Sequence, residues 1–104
     1  MENLRTIVET LEFIRWLEGL KDLRAAARIT YRIDMLAAGH HGQFRPLGGG
    51  VNELKIDYGP GYRIYYMERN REIVILLCGG DKSSQDADIK RAKDLAVSIK
   101  AEGS

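Results

Sequence analysis

Apolar residues recur at two different periods along this chain, and the change of period divides it. From Thr10 to Leu17, Phe13, Trp16 and Leu17 fall on one face of a helix, with Thr10 placed to cap it. The preceding Thr6-Ile7-Val8-Glu9 is rich in β-branched residues and suits a short first strand. Gly19 separates this helix from a second. Between Lys21 and Ala38, Leu23, Ala26, Ile29, Ile33, Leu36 and Ala37 recur at steps of three and four, and Gly39 closes the run as a C-cap would. So short a link predicts an antiparallel helical hairpin.

After Gly39 the helical period is lost, and Gly42, Gly48, Gly49, Gly50, Gly59, Gly61, Pro46 and Pro60 punctuate short segments. Val51 to Tyr58 alternates, with Leu54, Ile56 and Tyr58 on one side and Glu53, Lys55 and Asp57 on the other. That predicts a half-buried strand. Gly59-Pro60-Gly61 turns the chain, so Tyr62 to Met67 pairs back as a hairpin, and Arg69-Asn70-Arg71-Glu72 makes a second turn. Ile73 to Cys78 is apolar without alternation, which predicts a central strand covered on both faces. Gln43 to Leu47 is the candidate for a fourth strand, and Gly79-Gly80 is expected to end the meander. Ser83 or Ser84 then caps a last helix with Asp86 and Asp88 in its first turn. Its apolar stripe is Ile89, Ala92, Leu95, Ala96 and Ile99, and the tail Glu102-Gly103-Ser104 looks frayed. The fold class is therefore α+β, in a single domain over residues 1–104.

Composition narrows the function classes. A chain of 104 residues has room for one core, and 44% hydrophobic with 30% charged residues is an ordinary globular balance. The net charge of +1 rules out any argument from bulk basicity, so a nucleic-acid role must rest on a local patch. No apolar run approaches the roughly 20 residues that cross a bilayer, and Met1-Glu2-Asn3-Leu4 lacks the start of a signal peptide. The lone Cys78, inside an apolar strand, reads as a buried small hydrophobe with no internal disulfide. The expected location is the reducing cytoplasm, with no membrane contact.

Strand alternation supplies the candidate chemistry. If Leu54 and Ile56 face the helices, Lys55 faces away; on the next strand, Ile64 facing inward turns Arg63 and Tyr65 outward. Lys82 follows the last strand at the sheet's end. Three cations from separate segments thus converge on one face, either as ordinary solvated charges or as a phosphate-binding patch. Such a patch could also cleave RNA without metal. The 2′-hydroxyl attacks the adjacent phosphate, which calls for a base, cations on the developing phosphorane charge and an acid at the leaving 5′-oxygen. Other constellations are weaker. His40 and His41 are adjacent, without cysteine or paired acid, and read as solvated loop residues; no metal or cofactor is expected. Gly48-Gly49-Gly50 lacks the ending and helix of a phosphate loop. Phe13 and Trp16 read as core or as a partner groove.

Read together, Phe13-Ile14-Arg15-Trp16-Leu17, Glu53-Leu54-Lys55-Ile56, Gly59-Pro60-Gly61-Tyr62-Arg63-Ile64-Tyr65-Tyr66 and Leu76 to Asp86 occur in an order and spacing that resemble the RelE/ParE superfamily of toxins from type II toxin–antitoxin modules. The nearest resemblance is to its HigB-like addiction module killer branch, over almost the whole chain. The resemblance implies a microbial-RNase-like fold, with the helical hairpin packed on a small curled antiparallel β-sheet and a C-terminal helix. It also implies an endoribonuclease that cuts mRNA on the ribosome. Its partner would be a co-encoded helix-turn-helix antitoxin, through which alone the pair contacts operator DNA. By position it makes Lys55, Arg63 and Lys82 catalytic; Arg45, Tyr65, Tyr66 and Gln85 are the candidate substrate contacts, the last three as substitutes for a C-terminal tyrosine this chain lacks. Two departures stand out. RelE-type toxins often carry a C-terminal tyrosine, absent from Gln85-Asp86-Ala87-Asp88-Ile89, and Lys55 is alone where some relatives have two cations. The alternative within the superfamily is a ParE-like inhibitor of DNA gyrase; a degenerate toxin kept only as a repressor partner is a third.

Overall fold

The structure, a computed structural model, describes residues 4–103. Met1-Glu2-Asn3, part of the signal-peptide expectation, and Ser104 of the tail lie outside them. Strand β1 (Thr6–Glu9) leads into α1 (Leu11–Glu18) through Thr10. Its hydroxyl accepts from the Phe13 amide at 3.0 Å and donates to the Leu77 carbonyl at 2.7 Å, so the expected cap also ties the helix to the sheet. Asp22 caps α2 (Leu23–Ala37) through the Arg24 and Ala25 amides, and Gly39 follows its end at φ +92°. The buried row of α2 is Ala25, Ile29, Ile33 and Leu36. Leu23, expected to begin that row, is 81% exposed, because it lies nearly opposite Ala25 around the first turn of α2, and Ala25 takes the buried side.

Strands β2 (Phe44–Gly48), β3 (Val51–Ile56), β4 (Tyr62–Arg69) and β5 (Ile73–Gly80) complete one curled sheet in the order β1-β5-β4-β3-β2. The fourth expected strand is thus real, as edge strand β2, where Pro46 is tolerated. The antiparallel meander is confirmed for β2 to β5, while β1 joins β5 in parallel, which the helical crossover after β1 makes possible. Strand β5 is interior and covered on both faces, as expected, because β1 takes the edge beyond it; β4 stands in the middle of the five.

Both faces of the sheet are covered. Helices α1 and α2 close one core around Phe13, Ile29, Leu36, Leu54, Ile64, Tyr66 and Leu76, with α1 lying over β5 and α2 over β3. Helix α3 (Gln85–Glu102) closes the other with Val51, Tyr65, Met67, Ile75, Leu77, Ala92 and Ala96. Strand β3 is therefore covered on both faces and not half-buried as its alternation predicts. Val51 and Glu53 are buried beneath α3, whose stripe of Ile89, Ala92, Leu95, Ala96 and Ile99 needs an apolar floor. Cys78 is buried in the same core.

A β-bulge adjusts β5 to its two neighbouring layers. Tyr65 pairs with Cys78 but Tyr66 pairs with Leu76, so Leu77 is an extra residue and both Leu77 and Cys78 point toward α3. Beyond the bulge Gly79 faces α1 and Gly80 faces α3. A Cβ on Gly79 would enter the Trp16 ring, and one on Gly80 would enter the Asp88 carboxylate. These glycines continue β5 and do not end it; their missing side chains let a helix approach on each side. Among the described residues, no helix is long and apolar enough to cross a membrane.

Candidate functional site

Strand register assembles the site. Lys55 of β3 lies directly opposite Arg63 of β4, Arg63 lies opposite Gly80 of β5, and Glu53 lies between Arg45 of β2 and Tyr65 of β4. All of these side chains share the α3 face, at the end of the sheet where α3 begins. An open cleft of about 280 Å³ results, lined by Gln43, Phe44, Arg45, Glu53, Lys55, Arg63 and Gln85. The backbone of Lys55 is fixed from two sides. Its amide donates to the Gln43 carbonyl at 3.0 Å, and its carbonyl accepts from Arg32 Nη1 at 2.9 Å.

Arg63 is the least ordinary member. It is only 6% exposed, its Nη1 donates to the Gly61 carbonyl at 2.6 Å, and its Nε has no hydrogen-bond partner. Its nearest carboxylate oxygen, Glu53 Oε2, is 3.9 Å from that Nε, close enough for attraction and too far for a hydrogen bond. A buried guanidinium with an unspent donor is costly unless an anion completes it. Glu53 is itself 4% exposed. Oε1 accepts from Arg45 Nε and Oε2 from Gln85 Nε2, both at 2.9 Å. Burial pushes its carboxyl pKa up, but the hydrogen bonds from Arg45 and Gln85 and the charges of Arg45 and Arg63 outweigh it, and the net direction is down. The cleft therefore holds three cations around one committed carboxylate.

Lys82 opens the 3₁₀ turn Lys82–Ser84 that joins β5 to α3, and it is exposed. It does not line the cleft itself but an adjoining depression with Ser83 to Ala87. Gly61 neighbours both Lys82 and Arg63: a Cβ there would stand 3.1 Å from Arg63 Nη1 and 3.7 Å from Lys82 Cβ. Asp81 caps that turn, accepting from the Ser83 hydroxyl and amide, and these bonds hold its carboxyl below the usual range. Ser84 starts α3 without a side-chain cap and gives its hydroxyl to Asp88 instead.

Of the residues expected at the site, Lys55, Arg63, Arg45 and Gln85 come together and Lys82 borders them. Tyr65 and Tyr66 do not present themselves to a ligand. Tyr65 is fully buried under α3 with its hydroxyl turned toward Glu53 but no hydrogen bond closed, and burial pushes its pKa up. Tyr66 lies on the opposite face in the α1–α2 core, its hydroxyl 2.8 Å from His41 Nδ1. Adjacent strand residues face opposite ways, so both tyrosines could not have joined one patch. His41 is not a solvated loop residue either: it packs on Phe44 with ring centroids 4.7 Å apart and reaches Glu68 at 3.6 Å. Among the described residues no three His, Cys, Asp or Glu side chains gather as a metal-holding group. The residue that the sequence reading left out is Glu53. Its signal was present in Val51, an apolar residue on the same strand face, which marks that face as covered.

Residues 11–99 match the family model described as "Phage derived protein Gp49-like (DUF891)". An uncharacterized protein of Haemophilus influenzae is 53% identical over 93 residues, covering 89% of this chain and 94% of that relative. Every cleft-lining residue falls inside the matched span. The chain belongs to the Gp49-like family of phage-derived proteins, a toxin-like family associated with addiction modules.

Proposed function

We propose that this protein is the toxin of a type II toxin–antitoxin module and that its cleft cleaves mRNA on the ribosome by metal-independent acid–base chemistry. The observation that carries the reading is Arg63, a buried guanidinium whose Nε is unpartnered at the wall of a cation-lined cleft. A phosphodiester seated in the cleft would set a negative charge against this guanidinium. The 2′-hydroxyl of one nucleotide attacks the neighbouring phosphorus, its proton passing to a base. The P–O bond to the next 5′-oxygen breaks as an acid protonates that oxygen, leaving a 2′,3′-cyclic phosphate and a 5′-hydroxyl. Arg63 stabilises the charge of the phosphorane, where preset donors count most. Lys55, directly across from it, and Lys82, beside it at Gly61, are the amines available for the two proton transfers. The ribosome contributes by holding the mRNA in a reactive conformation. A co-encoded helix-turn-helix antitoxin neutralises the toxin and carries the pair to operator DNA.

Primer extension across abundant mRNAs after brief induction tests this. Wild type creates new 5′ ends within coding regions, and Arg63→Ala, Lys55→Ala and Lys82→Ala remove them while relieving growth arrest. Intact mRNA with accumulating cleaved-DNA complexes would replace this reading by gyrase inhibition. Normal growth on unopposed expression would leave only a repressor partner.

A further inference from the structure

Glu53 is a buried acid in the middle of a cationic cleft, and one carboxylate spans three elements. Oε1 takes the Arg45 Nε bond from β2, Oε2 takes the Gln85 Nε2 bond from the first turn of α3, and the Arg63 Nε of β4 stands 3.9 Å away. Burying a carboxylate is expensive, and two residues earlier on the same face Val51 shows that an apolar side chain fits under α3. The charge is therefore retained for what it holds. Both oxygens are already acceptors of short, well-directed bonds, which makes Glu53 a poor receiver of a substrate proton. Its partners are different. Arg45 spends Nε on Glu53, and among the described residues its two Nη groups have no protein acceptor. Its side chain is 59% exposed at the cleft edge.

We propose that Glu53 is a positioning residue. It fixes Arg45 and Gln85 as a preset pair at the cleft mouth, with the Arg45 Nη groups turned to the RNA backbone, and acts on RNA only through them. This rests on the RNA-cleaving reading of the cleft. Without the carboxylate, Arg45 is a free surface arginine that must lose its rotamer freedom at each binding event.

The full chain is tested as wild type, Glu53→Gln, Arg45→Ala and the double variant, with ribosome-bound mRNA as substrate. A positioning role predicts that Glu53→Gln and Arg45→Ala each raise KM by roughly tenfold with kcat little changed, and that the double variant is no worse than either single. The kcat–pH profile keeps its shape in Glu53→Gln. Glu53→Asp restores part of the loss. Multiplicative effects, or a lost limb of the kcat–pH profile, would show that Glu53 acts on the substrate itself and overturn the proposal. So would an unchanged KM in Glu53→Gln while Arg63→Ala abolishes cleavage. If Arg63→Ala cleaves normally, the RNA-cleaving reading fails instead. The hold itself is then read by NMR in the absence of RNA. The Arg45 Nε–H and Gln85 side-chain amide protons exchange slowly in wild type and rapidly in Glu53→Gln; equal exchange in both overturns it.

Discussion

Replacing Arg63 separates what the residue does for the fold from what the proposed cleavage of RNA asks of it. At 3.9 Å, its attraction to Glu53 is about 4 kcal/mol at an effective dielectric of about 20. Desolvating a guanidinium costs several kcal/mol, which cancels most of that gain. Arg63→Ala does not strand Glu53, because Arg45 and Gln85 still satisfy both of its oxygens. The remaining losses are the charged bond to the Gly61 carbonyl and the packing of the side-chain stem. Together these destabilise the protein by about 1–2 kcal/mol, a fall in Tm of roughly 5–10 °C. Removing a preset donor from a developing oxyanion costs about 10²–10³-fold in rate. Arg63→Ala is therefore expected to stay folded at 25 °C by circular dichroism while cleavage of ribosome-bound mRNA collapses. Arg63→Lys recovers more stability than activity, since an ammonium keeps the charge but loses the planar fork. Cleavage by Arg63→Ala at the wild-type rate would refute the assignment. So would a loss of activity that follows the unfolded fraction as temperature is varied.

Three further outcomes follow from the packing and charges. Gly79→Ala, whose new methyl group meets the Trp16 ring, should destabilise by about 1–3 kcal/mol in urea titration, and Gly80→Ala, which meets Asp88, by a similar amount; a wild-type midpoint for both would contradict the close approach of α1 and α3. Burial pushes the Cys78 thiol up to about 12, so iodoacetamide at pH 8 should label it only when the protein unfolds, and fast labelling of native protein would show that α3 lifts from the sheet. Glu53 has a folded-state pKa below its ordinary value of 4.5, so its stabilising contribution is complete above that pH and is lost as pH falls through the folded value. Asp88 runs the other way, because burial raises its pKa above the ordinary value despite the Ser84 bond and its cost fades on acidification. Comparing wild type with Glu53→Gln cancels Asp88: the stability gap measured at pH 7 should narrow at pH 3, and a constant gap would mean that the Glu53 charge contributes nothing.

The order of elements was legible in the sequence because it depends on local periods and breakers. Phe13, Trp16 and Leu17 marked one helix, the alternation around Leu54 and Ile56 marked β3, and Thr10 marked a cap. Strand alternation also put Lys55 and Arg63 on one face, and the pairing of β3 with β4 made them neighbours. What lay over that face was not legible, since it depends on where an element from the far end of the chain comes to rest. Docking α3 there turned an open surface into a cleft, buried Arg63, removed Tyr65 from contact and drew Gln85 onto Glu53. The bulge at Leu77 and the bare α-carbons of Gly79 and Gly80 let helices close on both sides of β5, and only packing could assign them that task. By itself, the sequence determined which cations share a face. Tertiary structure decided which of them is buried, which acid they surround, and that the Arg63 Nε is left without a hydrogen-bond partner, because burial and desolvation arise only when distant segments pack together.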